Sequence, residues 1–172
     1  LAQDAEVRAR FGRICYVPVG QQPDVRDLQR SLHSQLCGRR MDDENAASEA
    51  LLRAAKGQKV LLIVDDAWVA EHVHAFASCL DTAAAGSCVV VTTRIGALVA
   101  GAAEVPLALL SRDAAAKMLL TVAGVRATQP YAETVHKAAQ ACGRLPLTLA
   151  IAGGILMEQF FGEKSAGGST TS

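Results

Sequence analysis

The sequence predicts an α/β chain, a parallel sheet followed by a small helical subdomain, and three observations carry that expectation. The runs "VLLIV" (residues 60–64) and "SCVVVTT" (87–93) are apolar without alternation, as strands covered on both faces are. Segments with apolar residues at helical spacing lie before, between and after them, so strand and helix patterns take turns. Beyond residue 110 only the helical period remains. With 172 residues, 51% of them hydrophobic, the chain can bury one good core and the start of a second small unit.

The first strand is "RICYVPV" (13–19), ending at Gly20. Pro23 and Asp24 then open a helix in which Val25, Leu28, Leu32 and Leu36 recur at helical spacing. A second helix fits residues 43–56, with an alanine-rich face and Gly57 as its stop. The strand 60–64 follows, then a helix over 71–80, the strand 87–93, and a short weak strand in "EVPLAL" (104–109). Ser111 can cap a helix running to about Val122. Tyr131, Val135, Ala138 and Cys142 mark another, and residues 147–160 a third that is apolar almost all round. The end, "GEKSAGGSTTS" (162–172), is Gly/Ser-rich and reads as a disordered tail. The chain opens on Leu1 in helix-like sequence, which reads as a fragment.

Composition excludes some function classes. Seventeen Lys and Arg balance seventeen Asp and Glu and are scattered, so no polyanionic partner is expected and no nucleic acid. The five cysteines, Cys15, Cys37, Cys79, Cys88 and Cys142, are odd in number and far apart, and most sit in apolar runs. They read as reduced core residues of a cytoplasmic protein. No apolar run is long enough to span a bilayer and no signal-peptide pattern opens the chain, so no membrane partner is expected. His72 and His74 stand two apart on a helix and face different ways, while His33 and His136 read as helix residues rather than metal ligands.

The chemistry concentrates elsewhere. "KVLLIVDDAW" puts Asp65 and Asp66 at the carboxyl end of a buried strand, where open parallel sheets bind their ligands. A carboxylate there can hold a hydrated magnesium ion, and its neighbour can orient or deprotonate a water attacking a terminal phosphate. The plainer alternative is a strand end and a turn. "SCVVVTTR" places Thr92, Thr93 and Arg94 at the end of the next strand, and a guanidinium suits a terminal phosphate. Taken alone it is a solvated arginine. "CGRLPLTLA" (142–150) is a Gly-x-Leu-Pro break opening an apolar helix, ordinary helix chemistry by itself.

In this order and spacing the three segments resemble the NB-ARC domain, the nucleotide-binding switch of plant resistance proteins and apoptotic adaptor ATPases. "LLIVDDAW" is similar to its second kinase motif, "GSCVVVTTR" to its Gly-Ser-(apolar run)-Thr-Thr-Arg motif, and "CGRLPLTLAIAGGIL" to its Cys-Gly-Gly-Leu-Pro-Leu-Ala-Leu helix. "FGRICYVPVGQ" and "VPLALLSRDAAAKMLL" resemble the connecting strand and the entry to the helical subdomain. The resemblance runs from about Phe11 to Leu156. It implies a parallel P-loop NTPase-type sheet, incomplete at its N-terminus, over residues 1–109, a helical subdomain over 110–161 and a tail over 162–172. It implies ADP or ATP with Mg2+ as ligands, Asp65 on the metal, Asp66 as base, Arg94 with Thr93 at the phosphates, and Pro146 near the nucleoside.

Two departures stand out. Arg144 replaces a glycine usual in the Gly-Leu-Pro-Leu motif. No Gly-x-x-x-x-Gly-Lys-Ser/Thr occurs, and "GEKS" (162–165) lacks both the leading glycine and a preceding strand. Leu1 and Ala2 match the residues that follow the family's phosphate loop, so the resemblance implies that the loop lies upstream. The family's Met-His-Asp motif would lie beyond Ser172. The leading expectation is a nucleotide-dependent signalling switch of the defence type, with slow ATPase activity in the complete protein and none in this chain alone. Its protein partners would act through flanking domains. The competing expectations are a nucleotide-free interaction module of the same fold and an unrelated doubly wound enzyme. The Gly-x-Leu-Pro helix argues against the last.

Overall fold

Three strands, β1 (Arg13–Pro18), β2 (Val60–Ala67) and β3 (Cys88–Thr93), pair in parallel in the order β1-β2-β3 in the computed structural model, which describes residues 2–39, 47–82 and 86–161. The two apolar runs are therefore neighbours, as the sequence predicts. Cys15 stands beside Leu62, Val17 beside Val64, Leu62 beside Val89 and Val64 beside Val91. Since successive side chains alternate across a strand, Cys15, Val17, Val60, Leu62 and Val64 share one face. That face meets Leu32, Leu36, Leu51, Val73 and Phe76 in the main core. Tyr16, Ile63 and Asp65 have the opposite parity and belong to the other face.

The helices follow from local chemistry. The short α1 (Ala5–Arg10) is capped by Asp4, which accepts from the Glu6 and Val7 amides. In α2 (Val25–Cys37) the Asp24 side chain accepts from the Asp27 amide at 3.0 Å, and Gly38 ends the helix in the left-handed region at φ 73°. The helix lays Leu32 and Leu36 into the core. Next, α3 (Ala47–Ala55) buries Ala50, Leu51 and Ala55, and α4 (Ala70–Ala77) buries Val73 and Phe76. Residues 40–46, over which the sequence places the start of α3, lie outside the described residues, as does the expected tail 162–172.

Two expectations are corrected. Residues 104–109 form no strand: β3 is the last strand among the described residues, and nothing pairs with the segment. An isolated extended segment has no partner for its N–H and C=O groups, and here Val105 is 80% and Leu107 95% exposed. The cysteines also divide. Cys15 and Cys79 are buried and burial pushes their thiols up to about 11, but Cys88, which opens the edge strand, is exposed.

The chain divides into units Leu1–Glu104 and Val105–Ser172. In the second, α5 (Arg112–Val122), α6 (Glu133–Ala141) and α7 (Pro146–Phe161) pack around Ala115, Leu119, Ala139 and Leu149. Ser111 caps α5 by accepting from the Ala114 amide at 3.2 Å. An Arg112–Glu133 ion pair and His136 Nε2, 3.6 Å from Asp113 Oδ1, join α5 to α6.

Gly153 sets the approach of α7 to α5: a Cβ there would lie 2.7 Å from Val122 Cβ and 3.0 Å from the Leu119 carbonyl oxygen. At Gly154 a Cβ meets nothing within 4 Å. Adjacent glycines should therefore respond to alanine with opposite signs. Gly154→Ala is expected to stabilise by about 0.5–1 kcal/mol through helix propensity. Gly153→Ala gains the same term but overpacks the helix contact at a cost of about 1–3 kcal/mol, so it should destabilise. Urea denaturation of both variants decides, and equal signs would contradict the packing.

Candidate functional site

Parallel pairing brings the carboxyl ends of β1, β2 and β3 to one edge of the sheet, and the candidate residues gather there. Tyr16 of β1 donates its hydroxyl to Asp65 Oδ2 at 2.7 Å, and Thr92 of β3 donates its own to Asp65 Oδ1 at 2.6 Å. The Asp65 carboxylate is thus held from both flanking strands. Its carbonyl accepts from the Val19 amide at 2.9 Å, which extends the β1–β2 ladder past the end of β1.

Between Val64 and Ala67 the β2–β3 register slips. Asp66 stands within the slip at φ 53°, a left-handed conformation that aspartate tolerates better than most residues other than glycine. Its amide donates to Thr92 Oγ1 at 2.9 Å. Thr92 consequently accepts from one aspartate and donates to the other. Thr93 closes the far side, donating to the Ala67 carbonyl at 2.7 Å and accepting from the Ile95 amide at 3.0 Å. Bulges of this kind re-aim side chains beside functional sites.

Arg94 follows directly. Its Nε lies 4.0 Å from Asp66 Oδ1 and its guanidinium 5.9 Å from the centre of the Trp68 ring, with the side chain 79% exposed. Such a contact is weak in water, which leaves the guanidinium able to turn onto an anion.

The hydrogen bond from Thr92, and after it that from Tyr16, hold the Asp65 carboxyl below the usual carboxylate range against an opposing effect of burial. The bond to Asp65 in turn pushes the Tyr16 phenol up. Asp65 is therefore an ionised carboxylate at neutral pH. Each of its oxygens accepts one hydroxyl and keeps lone-pair capacity for a further partner. No group of three or more His, Cys, Asp or Glu able to hold a metal occurs among the described residues. Two adjacent carboxylates without a cage fit Mg2+, which keeps several waters and takes its remaining ligands from phosphates, and do not fit zinc. Neither of two concavities is lined by these residues: one of about 460 Å³, within the second unit, is lined by Lys117, Thr121, Arg126 and Tyr131, and the other of about 370 Å³ lies beside Leu52 and Cys79.

Of the five residues singled out from the sequence, Asp65, Asp66, Thr93 and Arg94 come together. Pro146 is the first residue of α7 in the second unit. Sequence reasoning missed Tyr16, and with it Gln35 of α2, whose amide pairs with the Tyr16 backbone by accepting from its N–H at 2.8 Å and donating to its carbonyl at 2.9 Å. The alternation within "RICYVPV" sets Tyr16 opposite Cys15 and Val17, but only the register shows that it meets Asp65.

The NB-ARC domain matches this chain over residues 1–128. The chain belongs to the NB-ARC family. The match spans all three strands, the paired aspartates, Thr92, Thr93, Arg94 and α5, so the parallel sheet is that of a P-loop NTPase-type fold and the domain a nucleotide-binding signalling module. It starts before the resemblance read from the motifs and ends before Pro146. No curated protein matches the chain. Arg144, where the NB-ARC motif usually has glycine, adopts φ 54° after Gly143 at φ 64°, so the position retains a backbone that favours glycine.

The two hydroxyl donors can be separated by titration of the metal-free protein. A carboxylate whose folded pKa is depressed adds stability above its unfolded value, about pH 4, and loses that contribution as pH falls through the lower folded value. Thr92→Val and Tyr16→Phe should both raise the Asp65 pKa toward the ordinary value, Thr92→Val by more. Carboxyl carbon NMR of Asp65 reads this directly, and an unmoved pKa in both variants would contradict the geometry.

Proposed function

We propose that this NB-ARC domain binds ADP or ATP with Mg2+ at the carboxyl edge of its sheet, as the nucleotide-responsive element of a signalling protein. One observation carries the reading: an ionised, half-buried Asp65 held by hydroxyls from both neighbouring strands, with Asp66 and Arg94 beside it. Asp65 is the residue to hold the ion, directly or through its waters. When bound, magnesium supplies positive charge to the phosphate oxygens and fixes their place. Asp66 orients or deprotonates the attacking water, and Arg94 reads the terminal phosphate by bidentate hydrogen bonds. The side chain of Thr93 is engaged with the bulge, so its part is to hold the loop that carries Arg94. Aspartate is one methylene shorter than the glutamate of faster relatives, and turnover is accordingly slow.

Five free cysteines support a cytosolic setting, and no helix among the described residues is long and apolar enough to cross a membrane. Signalling partners, including any in a defence response, would engage domains other than this one. A second reading, a nucleotide-free interaction module, is favoured by the lack of a Gly-x-x-x-x-Gly-Lys-Ser/Thr motif in the 172 residues.

Calorimetric titration of ADP with Mg2+ tests the proposal, using this chain and a form extended upstream through a phosphate loop. Such a loop supplies backbone N–H donors and a lysine. Hydrogen bonds to charged groups contribute about 1.5–3 kcal/mol each, so two of them correspond to about a thousandfold in affinity. The extended form should bind at least that much more tightly. Asp65→Ala should then weaken its Mg2+-dependent binding, and Asp66→Ala should slow hydrolysis with binding near normal. No binding by the extended form would contradict the proposal, and micromolar binding by the short chain would contradict the share of the affinity assigned to the phosphate loop.

A further inference from the structure

Tyr16 lies at the polar edge beside Asp65, in a segment to which the motifs give no chemical role. The residue is 48% exposed, so it contributes little to the core. Its backbone is nevertheless fixed on both sides. Toward β2 it lies in register beside Ile63, and on the open edge of β1 the Gln35 amide takes both its N–H and its carbonyl. Gln35 thereby occupies the place that a further strand would otherwise fill. The Gln35 amide also donates to Ser31 Oγ at 3.3 Å, tying the arrangement to the preceding turn of α2. From this anchored position the Tyr16 hydroxyl reaches Asp65 Oδ2 at 2.7 Å.

We infer that Tyr16 is a positioning residue for the divalent-cation ligand Asp65. Together with Thr92 it fixes the plane of the carboxylate, and Gln35 of α2 fixes Tyr16. The inference rests on the reading of Asp65 as the residue that holds the ion, and it adds where that carboxylate's orientation comes from. A carboxylate on an exposed strand end can rotate about its two side-chain torsions. One hydroxyl on each oxygen removes that freedom and directs the remaining lone pairs outward. Hydrogen bonds from such outer partners raise the affinity of a ligating group, and their loss lowers metal binding about tenfold or more.

The test is Mn2+ binding to the 172-residue chain, with free Mn2+ counted by electron paramagnetic resonance and no nucleotide present. Mn2+ shares the oxygen-ligand preference of Mg2+. Asp65→Asn should abolish the site. Tyr16→Phe, which removes only the hydroxyl, should weaken Mn2+ about tenfold in a protein that still unfolds cooperatively and loses no more stability than the raised Asp65 pKa entails, a combination that a merely structural role would not give. Thr92→Val should weaken it similarly, while Thr92→Ser, which keeps the hydroxyl, should restore wild-type affinity. Wild-type affinity in Tyr16→Phe alongside loss in Asp65→Asn would overturn the positioning role and leave the metal reading intact. Asp65→Asn indistinguishable from wild type would overturn the metal reading and this inference with it. If Tyr16→Phe loses more stability than that, Gln35→Leu repeats the test with the hydroxyl retained: weakened Mn2+ binding in a folded protein supports the relay, and wild-type affinity overturns it.

Discussion

In-register parallel pairing of three strands is the constraint on which the polar edge depends. Pro18 stands beside Asp65 and Val64 beside Val91, and from these pairings it follows that Tyr16, Asp65 and Thr92 meet. A slip of one residue in β2 would reverse every side chain. Val64 would then face the polar edge and Asp65 the core of Leu32, Leu36 and Phe76. Burying an unpaired carboxylate there costs several kcal/mol, so the apolar face of "VLLIV" enforces the site although it takes no part in its chemistry. The core specifies the register, and the register builds the edge.

The bulge after Val64 adds what regular pairing cannot. In an unbroken strand Asp65 and Asp66 would point to opposite faces. The register slip and the left-handed backbone of Asp66 relax that rule and leave Asp66 4.0 Å from Arg94 Nε. A left-handed conformation costs a residue other than glycine about 1–2 kcal/mol. The bond from the Asp66 amide to Thr92 and that from Thr93 to the Ala67 carbonyl offset it. Thr92 thus holds both the Asp65 carboxylate and the Asp66 amide, while Thr93 closes the far side of the bulge. That division explains why polar residues follow so directly on the half-buried valines of β3.

Much of the fold was legible because its causes are local. Unalternating apolar runs gave β2 and β3, and Asp24 and Ser111 announced the starts of α2 and α5 by the amides that their side chains accept. What escaped depends on partners distant in sequence. Residues 104–109 have strand composition, but a strand exists only against another, and none among the described residues stands beside them. Cys88 looks like a core residue until its strand proves to be an edge. Asp65, Asp66 and Arg94 were legible as charges ending buried runs. Tyr16 and Gln35 were not, since a hydroxyl crossing from one strand to the next and an amide pairing with an edge backbone leave no periodic trace. Which of Thr92 and Thr93 faces Asp65 was likewise decided by the bulge, which the sequence does not mark.

The proposed divalent cation has its place where these three strand ends converge. Paramagnetic broadening by Mn2+ of the amide spectrum of the 15N-labelled chain tests it most directly. The first amides to broaden should be those of Val19, Asp65, Asp66, Ala67, Thr93 and Arg94, with those near the Asp27 and Glu133 carboxylates unaffected at the same Mn2+ concentration. Broadening that begins at those other carboxylates, or spreads evenly over the acidic side chains, would contradict it.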